Sequence, residues 1–554
     1  MDRLIECVPN FSEGRDRTTI DAITAAMERA GAKVLDVEMG AAANRTVVTL
    51  AGPPETVLEA AFEGIRTAAD RIDMTRHHGE HPRLGATDVC PLVPLRGVTL
   101  EECAALARSL GERVGRELGI PVFLYEAAAT RPERTSLATI RQGEYEGLEA
   151  RLQDPDWQPD FGPARFLPRT GAVVIGARPI LIAYNVNLNT RDRTLASRIA
   201  VRVREAGGIA RGTDGERLLD PEGRPVKVPG TLRAVRAVGW VIDEYGIAQV
   251  SVNLLDHRVT PLHEVFEEVR RQADSLGVRV TGSEVVGLLP LEALLQAGRH
   301  YLERQGACPE APEPDLVHLA VRSLGLHDAR PFDPRRKVIE YRLEEGESRL
   351  TDLPVTDFVH RVSGDAPTPG GGSVAALAGA LGSALVAMVG NLTWRRPERK
   401  DDREELARLA REAQNLKERL LRGVHEDSAA FDAILAARRL PQGTDSEKAA
   451  RAEAIRRAEQ RAVEVPWETL EAAARVAELA AQAVAVGYEQ CRSDAGAAAA
   501  MAVAAAEGAA LNVRINLVGR TDPEAESLRR QALEVLSRAR GAGHAALSAL
   551  DATL

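Results

Sequence analysis

The stretch that decides the fold of the C-terminal part is residues 370–394, which read GGGSVAALAGALGSALVAMVGNLTW. It carries no charged residue and is long enough to cross a bilayer. Glycine and alanine dominate it, and such small residues gain little free energy on leaving water but allow helices to approach closely. The stretch therefore predicts a buried central helix of a soluble bundle, with no membrane association.

The sequence on both sides of this stretch has a helical period and lacks strand signals. Alanine is very frequent, and apolar residues recur every three or four positions. Helices are predicted over 355–363, 373–393, 400–436, 445–488, 495–516 and 523–551. The pattern predicts an all-α helical bundle domain over residues 351–554.

Residues 1 to 340 have a different texture, in which short β-branched runs alternate with amphipathic helical patterns. Two runs flanking residues 243–246 predict an antiparallel hairpin, which favours mixed α+β layers over a purely parallel sheet. A break before Ile180 divides the region in two. We therefore expect a multidomain chain: two α/β (α+β) sandwich subdomains (1–179 and 180–343), an acidic linker (344–350) and the helical domain. Residues 308–314 are expected to form a surface loop.

The composition excludes several classes of protein. The 554 residues carry a net charge of −10, with a pI of about 5.7, which argues against a nucleic-acid partner bound by bulk attraction to phosphates. The five cysteines are scattered and form no C-x-x-C pair, so neither a disulfide framework nor a thiolate zinc site is expected. The N-terminus lacks the pattern of a signal peptide. These features predict a cytoplasmic protein.

The densest polar cluster of the first half is residues 76–83, RHHGEHPR. Imidazole titrates near neutral pH, so the three histidines of this cluster suit general acid–base work. A zinc site is an alternative, because His77, Glu80 and His81 spell H-x-x-E-H. That pattern needs a helix, which Gly79 and Pro82 disfavour. A plain polar loop is the third interpretation.

A second loop of interest, residues 160–171, contains two glycines, two prolines and two aromatic residues. Glycine and proline fix a defined chain path, and an aromatic ring can stack on a planar heterocycle. An ordinary connecting loop is the alternative.

In the second half, one carboxylate falls on the apolar stripe of a predicted helix. The stripe consists of Leu406, Leu409, Ala413, Leu416, Leu420, Val424 and Phe431. Asp427 shares this face, whereas Glu426 points away. A carboxylate turned toward a core has a raised pKa, so Asp427 is either a functional acid or base or a buried structural aspartate.

Three further patterns surround the predicted helices. The glycines of 367–373, PTPGGGS, expose backbone N–H groups at a helix start, where an anionic ligand or a plain turn fits. Ser493 or Asp494 is predicted to be the N-cap of the next helix. Asn512 and Asn516 lie four residues apart, so they share a face that could line a pocket.

Taken together, these stretches resemble one enzyme family. Residues 6–14 (ECVPNFSEG), 44–47 (NRTV), 77–83 (HHGEHPR) with Gly85, and 88–91 (DVCP) are similar to the glutamate formimidoyltransferases. Residues 369–375 (PGGGSVA), Asp427 with Ala430 and Phe431, 492–494 (RSD) and 512–516 (NVRIN) resemble the formimidoyltetrahydrofolate cyclodeaminases. The order of the halves is that of the bifunctional formimidoyltransferase-cyclodeaminases.

This resemblance implies two reactions. The formimino group of N-formimino-L-glutamate moves to N5 of tetrahydrofolate, and 5-formimidoyltetrahydrofolate then cyclises to 5,10-methenyltetrahydrofolate with release of ammonia. Tetrahydrofolate, polyglutamylated in the family, is thus a co-substrate, and no metal is implied. The family also implies a homo-oligomer. A zinc hydrolase and a non-catalytic folate-binding protein are the rival functions.

The resemblance also implies site residues. His81 matches the transferase base and Asp427 the cyclodeaminase aspartate. The family's folate segment matches Gly162, Pro163, Ala164, Arg165, Phe166, Leu167, Pro168, Arg169, Thr170 and Gly171. The expected cyclodeaminase pocket consists of Gly371, Gly372, Ser373, Ser493, Asp494, Asn512 and Asn516.

Overall fold

The computed structural model describes residues 3–41, 43–79, 81–210, 217–242, 245–345 and 349–552. The chain divides into two compact units. The first comprises Met1–Ala297 and Ala320–Glu345, and the second comprises Gly298–Leu319 and Gly346–Leu554. The first unit combines sheets with helices and the second is helical, so the predicted fold class is confirmed.

The first part of the first unit is built on a seven-stranded sheet with helices packed against it. Its elements are β1 (Leu4–Cys7), β2 (Asn10–Phe11), α1 (Arg17–Arg29), β3 (Lys33–Gly40), β4 (Arg45–Gly52), α2 (Pro54–Arg71), β5 (Thr87–Arg96), α3 (Leu100–Arg113), β6 (Val122–Glu126), α4 (Leu137–Ile140), α5 (Glu144–Leu152) and β7 (Val173–Ala177). The strand order is β1-β4-β2-β5-β7-β6, with β3 paired to β4. Strand β7 pairs in parallel with β5 and β6, and all five of its residues are buried, as expected for an interior strand.

The remainder of the first half carries a second, antiparallel sheet. Its elements are β8 (Ile182–Leu188), α6 (Arg193–Val203), β9 (Gly208–Ile209), β10 (Lys227–Val228), β11 (Val235–Ile242), β12 (Ile247–Leu254), α7 (Leu262–Asp274), β13 (Val280–Val286), α8 (Leu291–Arg304), α9 (Glu313–Ser323), α10 (Pro334–Lys337) and α11 (Ile339–Glu344). The four-stranded order is β11-β12-β8-β13. Pairing of Ile242 with Ile247 confirms the predicted hairpin, although Asp243 and Glu244 in its turn lie outside the described residues.

Beyond the linker, the described residues of the helical unit form six α-helices: α12 (Val355–Val362), α13 (Gly371–Trp394), α14 (Arg403–Arg438), α15 (Asp445–Val486), α16 (Arg492–Asn516) and α17 (Pro523–Asp551). Local chemistry sets their starts. Thr444 and Glu447 form a reciprocal capping box on α15, and Asp522 accepts a hydrogen bond from the Ala525 N–H of α17. All six predicted helices are present.

Small residues bring these helices together. Helix α13 packs against α14, α15 and α16. A Cβ atom on Gly382 would lie only 2.9 Å from the Ala498 carbonyl oxygen. Two helical stretches, Gly371–Trp394 and Glu489–Asn516, are long and apolar enough to cross a membrane, but 61% and 50% of their apolar windows are buried inside the protein. Helix α13 thus has the central position that its composition predicts.

The extension around Cys308 is not the surface loop that the sequence suggested. Cys308 is 4% exposed and packs with Trp394 and Leu406. Glu310 is 2% exposed and accepts a hydrogen bond from Arg411 Nε at 2.7 Å. Cys308 and Glu310 are buried because residues of the helical unit pack on them, which no local pattern reveals, whereas Pro312 and Pro314 are exposed. Residues 298–319, predicted within 180–343, therefore group with the helical unit, and Gly346 to Ser348 of the linker lie outside the described residues.

Candidate active sites

The predicted base, His81, follows a short 3-10 turn and lies half-buried in an irregular loop. Its Nδ1 is 2.7 Å from the Pro82 carbonyl oxygen and 2.9 Å from Arg45 Nη1. Burial and the Arg45 guanidinium both lower the pKa of His81 below its usual value. The ring is therefore neutral at neutral pH. With Nδ1–H donated to Pro82, Nε2 carries the lone pair and can accept a proton.

Strand register assembles the groups behind His81. The short strand β2 pairs with both β4 and β5, which places Asn10 beside the starts of those two strands. Arg45, the first residue of β4, donates from Nε and Nη2 to Asn10 Oδ1 at 3.0 and 2.6 Å. Its Nη1 donates to Asp88 Oδ2 at 2.6 Å. Arg45 thus links Asn10 to Asp88 at the side of the His81 ring.

A second arginine shares the same carboxylate. Arg141, at the end of α4, donates from Nη2 to Asp88 Oδ2 and from Nε to Oδ1 at 3.3 Å. Asp88 also accepts the Leu84 N–H at 3.0 Å, and its side chain is 1% exposed. The resemblance carried no role for Arg45, Asp88 or Arg141, and only the fold reveals that they meet.

The zinc interpretation of this cluster does not fit His77. Its Nε2 is 2.7 Å from the Asn44 carbonyl oxygen, and its Nδ1 accepts a hydrogen bond from Arg83 Nε at 3.2 Å. Both nitrogens are therefore engaged, and neither offers a lone pair to a metal. Residues 77–79 and 81–83, the described part of the motif, are not helical, and Glu80 lies outside the described residues. The described residues contain no group of three or more metal-type ligands.

The predicted folate segment 162–171 lies against the residues that follow His81. The Ala86 N–H donates to the Thr170 carbonyl at 2.8 Å, and the Ala172 N–H donates to Leu84 at 3.1 Å. Gly171 has φ of +63°, and a Cβ there would lie 2.2 Å from the Leu84 carbonyl oxygen, so this approach requires glycine. The structure thus brings the two predicted segments together.

A cavity of about 440 Å³ opens beside these segments. The described residues that line it are His78, Gly79, Arg83, Gly143, Glu144 and Glu146. Arg83 donates to Glu146 from Nη1 at 2.9 Å and from Nη2 at 2.7 Å. Sequence reasoning missed Gly143, Glu144 and Glu146, because they lie on α5 and its preceding turn, at least 60 positions beyond Arg83.

In the helical unit, the Asp427 carboxylate of α14 sits at the first turn of α13. Its Oδ2 accepts hydrogen bonds from the Ser373 backbone N–H at 2.8 Å and from Ser373 Oγ at 3.1 Å. The pKa of Asp427 is raised above its ordinary value, because burial outweighs the opposing effect of the Ser373 hydrogen bonds. Burial thus favours the protonated form of this carboxyl more than water would.

Glycine makes this approach sterically feasible. A Cβ on Gly372 would lie 2.0 Å from Asp427 Oδ1, closer than any real contact. Around the same helix start, Asn512 Nδ2 lies 3.5 Å from the Cβ position of Gly371 and donates to the Gly508 carbonyl at 2.8 Å. Gly371, Gly372, Ser373, Asn512 and Asp427 therefore come together.

Ser493 and Asp494 of the expected pocket lie elsewhere, whereas Asn516 lies one helical turn from Asn512. Helix α16 begins at Arg492, so Ser493 and Asp494 occupy its first turn, and Cys491 has the N-cap position that was predicted for one of them. They lie about 27 Å along α16 from Asn512, at 1.5 Å per residue, so one chain does not bring them together. Asn516 donates to the Ala462 carbonyl at 2.6 Å and links α16 to α15.

The predicted stripe on α14 is largely buried, but Phe431 is not. Leu406, Leu409, Ala413, Leu420 and Val424 are at most 1% exposed, whereas Phe431 is 38% exposed. Asp427 already contacts the first turn of α13, so the following turn of α14 extends past the end of its neighbour. Glu426 points away as predicted and accepts a hydrogen bond from Arg461 Nη2 at 2.8 Å.

Family models match both halves of the chain. The model for the formiminotransferase domain, N-terminal subdomain, matches residues 4–178, and that for the formiminotransferase domain matches 183–344. The model for formiminotransferase-cyclodeaminase matches residues 354–534. The three matches follow one another in the order of the sheets and helices described above.

Similar proteins match almost the whole chain or one part of it. A formimidoyltransferase-cyclodeaminase from Sus scrofa is 43% identical over 97% of this chain and 96% of its own length. A glutamate formimidoyltransferase from Streptococcus pyogenes is 41% identical over 55% of this chain and 94% of its own length. A methenyltetrahydrofolate cyclohydrolase from Methylorubrum extorquens is 37% identical over 34% of this chain and 90% of its own length. The chain belongs to the formimidoyltransferase-cyclodeaminase family.

Proposed function

We propose that this chain catalyses two consecutive steps of folate one-carbon metabolism. The first unit transfers the formimino group from N-formimino-L-glutamate to N5 of tetrahydrofolate. The helical unit then cyclises 5-formimidoyltetrahydrofolate to 5,10-methenyltetrahydrofolate and releases ammonia. Similarity to bifunctional relatives along almost the entire chain supports both activities in one protein.

In the transfer step, His81 acts as the base. The N5 lone pair attacks the electrophilic amidine carbon, and neutral His81 accepts the proton that N5 sheds. His81 then returns this proton to the departing glutamate nitrogen as the carbon–nitrogen bond breaks. The lowered pKa of His81 supports this role, because it keeps the ring unprotonated before attack. Residues 162–171, held against the loop that follows His81, are proposed to bind the folate.

In the second step, N10 attacks the formimino carbon and the imino nitrogen leaves as ammonia. This nitrogen needs two protons, of which N10 supplies one and solvent the other. Asp427 is proposed to relay them, since one carboxyl with a raised pKa can accept and donate in turn. Gly371, Gly372, Ser373 and Asn512 border the carboxyl and are proposed to line its pocket. Direct participation of Ser493 and Asp494 is not supported within one chain, whereas Asn516 stays a predicted member of the pocket.

The tetrahydrofolate co-substrate is proposed to be polyglutamylated, and the protein is proposed to be a cytoplasmic homo-oligomer. The five cysteines are all buried and free, which suits a reducing compartment. Light scattering coupled to size-exclusion chromatography measures the assembly, and a monomer would contradict the oligomer. Cell fractionation tests the compartment.

The observation that carries the proposed chemistry is the placement of Asp427 against the first turn of α13. The test incubates the full chain with tetrahydrofolate and N-formimino-L-glutamate and follows methenyl-folate absorbance together with ammonia. We expect one ammonia per methenyl product. Folate binding without ammonia release would instead support a non-catalytic folate-binding protein. Zinc that co-purifies in stoichiometric amount, and whose removal abolishes activity, would support the hydrolase.

A further inference from the structure

The cluster behind His81 contains more positive than negative charge. Arg45 and Arg141 both pair with the single carboxylate of Asp88. The three side chains are 13%, 14% and 1% exposed, so water screens them little. Two guanidinium groups and one carboxylate leave one positive charge uncompensated.

The neighbouring acids that the structure describes do not supply the missing charge. Glu144 and Glu146 form ion pairs with Arg83, at 3.2 and 2.7 Å. Within the described part of the chain, the charges that act on the His81 ring are those of Arg45, Arg141 and Asp88. Because buried charge is costly unless it is paired, this cluster is suited to receive an anion from outside the chain.

The two arginines differ in how many of their N–H donors are already used. Arg45 uses one edge on Asn10 and the other on Asp88. Arg141 uses Nε and Nη2 on Asp88, and its Nη1 has no hydrogen-bond partner among the described residues. A carboxylate oxygen that accepts from Nη1 would therefore be bound without displacing a protein group.

The surroundings of Arg141 are accessible to a small ligand. Gly143 and Glu144, two and three positions beyond Arg141, line the 440 Å³ cavity, as do His78 and Gly79 just before His81. The loops that carry the base and Arg141 thus border the same cavity. In the formimino donor, the carbon under attack is separated from the α-carboxylate by only the amide-like nitrogen and Cα.

We propose that Arg141 binds a carboxylate of the formimino donor and thereby places its amidine carbon beside His81. This assignment rests on the proposed transferase function and adds the residue that recognises the donor. Arg45 acts as a positioning residue, because it holds Asp88, the carboxylate that Arg141 also binds. The glutamyl tail of folate carries the same chemical group, so the test must separate the two substrates.

The test measures transfer kinetics of the full chain with Arg141→Gln and Arg141→Lys, varying each substrate in turn. Loss of a charged hydrogen bond predicts that Arg141→Gln raises KM for the donor by about tenfold or more. KM for tetrahydrofolate and ammonia release from supplied 5-formimidoyltetrahydrofolate should change less than about twofold. Arg141→Lys should restore part of the donor affinity, because it retains the charge without the planar fork.

Two controls sharpen this result. Arg108→Gln removes an exposed arginine of α3, which donates to the Ala127 carbonyl, and should leave both KM values unchanged. Donor analogues with the α- or γ-carboxylate replaced by an amide identify the group that is bound. The wild-type chain should discriminate against one of these analogues, and Arg141→Gln should lose that discrimination.

Several outcomes would overturn the assignment. A raised KM for tetrahydrofolate with an unchanged donor KM would place the folate tail at Arg141 instead. Unchanged KM values for both substrates would remove Arg141 from recognition altogether. If Arg141→Gln fails to fold, two other measurements still test the assignment. A normal donor KM in folded Arg141→Lys, together with equal use of the α- and γ-amide analogues by the wild-type chain, would also reject it. A wild-type chain that transfers no formimino group would count against the proposed function itself.

Discussion

Replacement of Asp427 by asparagine separates a catalytic carboxyl from a structural one. The amide oxygen can still accept both hydrogen bonds from Ser373, so the helix contact is kept. Two charge-assisted bonds become neutral ones, which costs at most about 2 kcal/mol, and relief of the buried charge offsets part of that cost. For a unit of this size, 2 kcal/mol lowers Tm by about 4–8 °C.

The effect of Asp427→Asn on chemistry should be far larger than its effect on stability. Loss of a general acid–base group typically slows a reaction about 10²–10⁴-fold, equivalent to about 3–5 kcal/mol at 1.36 kcal/mol per tenfold. Only ammonia release should suffer. Transfer at the first site should continue, and 5-formimidoyltetrahydrofolate should accumulate.

The assay follows both half-reactions beside thermal unfolding. Glu426→Gln is the matched control: it changes the adjacent carboxylate, which faces Arg461, and should leave ammonia release within about twofold of wild type. Ammonia release within about threefold of wild type by a stably folded Asp427→Asn protein would refute the mechanism. A large loss of Tm with equal loss of both activities would indicate a structural aspartate.

Three further predictions concern the first unit. His81→Ala should reduce transfer by about 10²–10⁴-fold while cyclodeamination of supplied 5-formimidoyltetrahydrofolate continues; transfer within about threefold of wild type would remove His81 as the base. Because the pKa of His81 is lowered, its neutral base form persists as the pH falls. The acid-side decline of kcat/KM for transfer should therefore lie below pH 6.5. A decline centred above that value would contradict the neutral ring. A fragment of residues 1–345 should fold and transfer the formimino group. Its segment around Cys308 and Glu310 loses the contacts with Trp394 and Arg411, so limited proteolysis should cleave there first, as mass spectrometry of the products would show. An insoluble fragment would contradict independent folding of the transferase half.

The sequence predicted what depends on local pattern. The uncharged stretch that became α13 and the hairpin closed by Ile242 and Ile247 are set by composition and period, which are legible within one segment. Burial of Cys308 was not predictable in this way, because it results from packing against Trp394, a residue distant in sequence. The start of α16 was also misplaced. Ser493 or Asp494 was predicted as its N-cap from capping tendency, but the helix begins at Arg492 and Cys491 has the N-cap position.

The candidate sites show the same division. Asp427 could be found from helical period alone, because its position on an apolar stripe turns the carboxyl inward. Arg141 could not, because its role depends on the strand pairing that brings Asp88 toward α4 across more than 50 positions. The roles of His81 and Asp427 remain predictions until the variants are measured.

The fit of Gly372 beneath the Asp427 carboxylate can be used to compare homologous sequences. In any bundle with this packing, glycine alone leaves room for the acid, and larger residues must push it away. The pair of positions therefore acts as a two-letter signature. Homologues that have kept the helices but exchanged this glycine are therefore expected to hold the carboxylate in a different position.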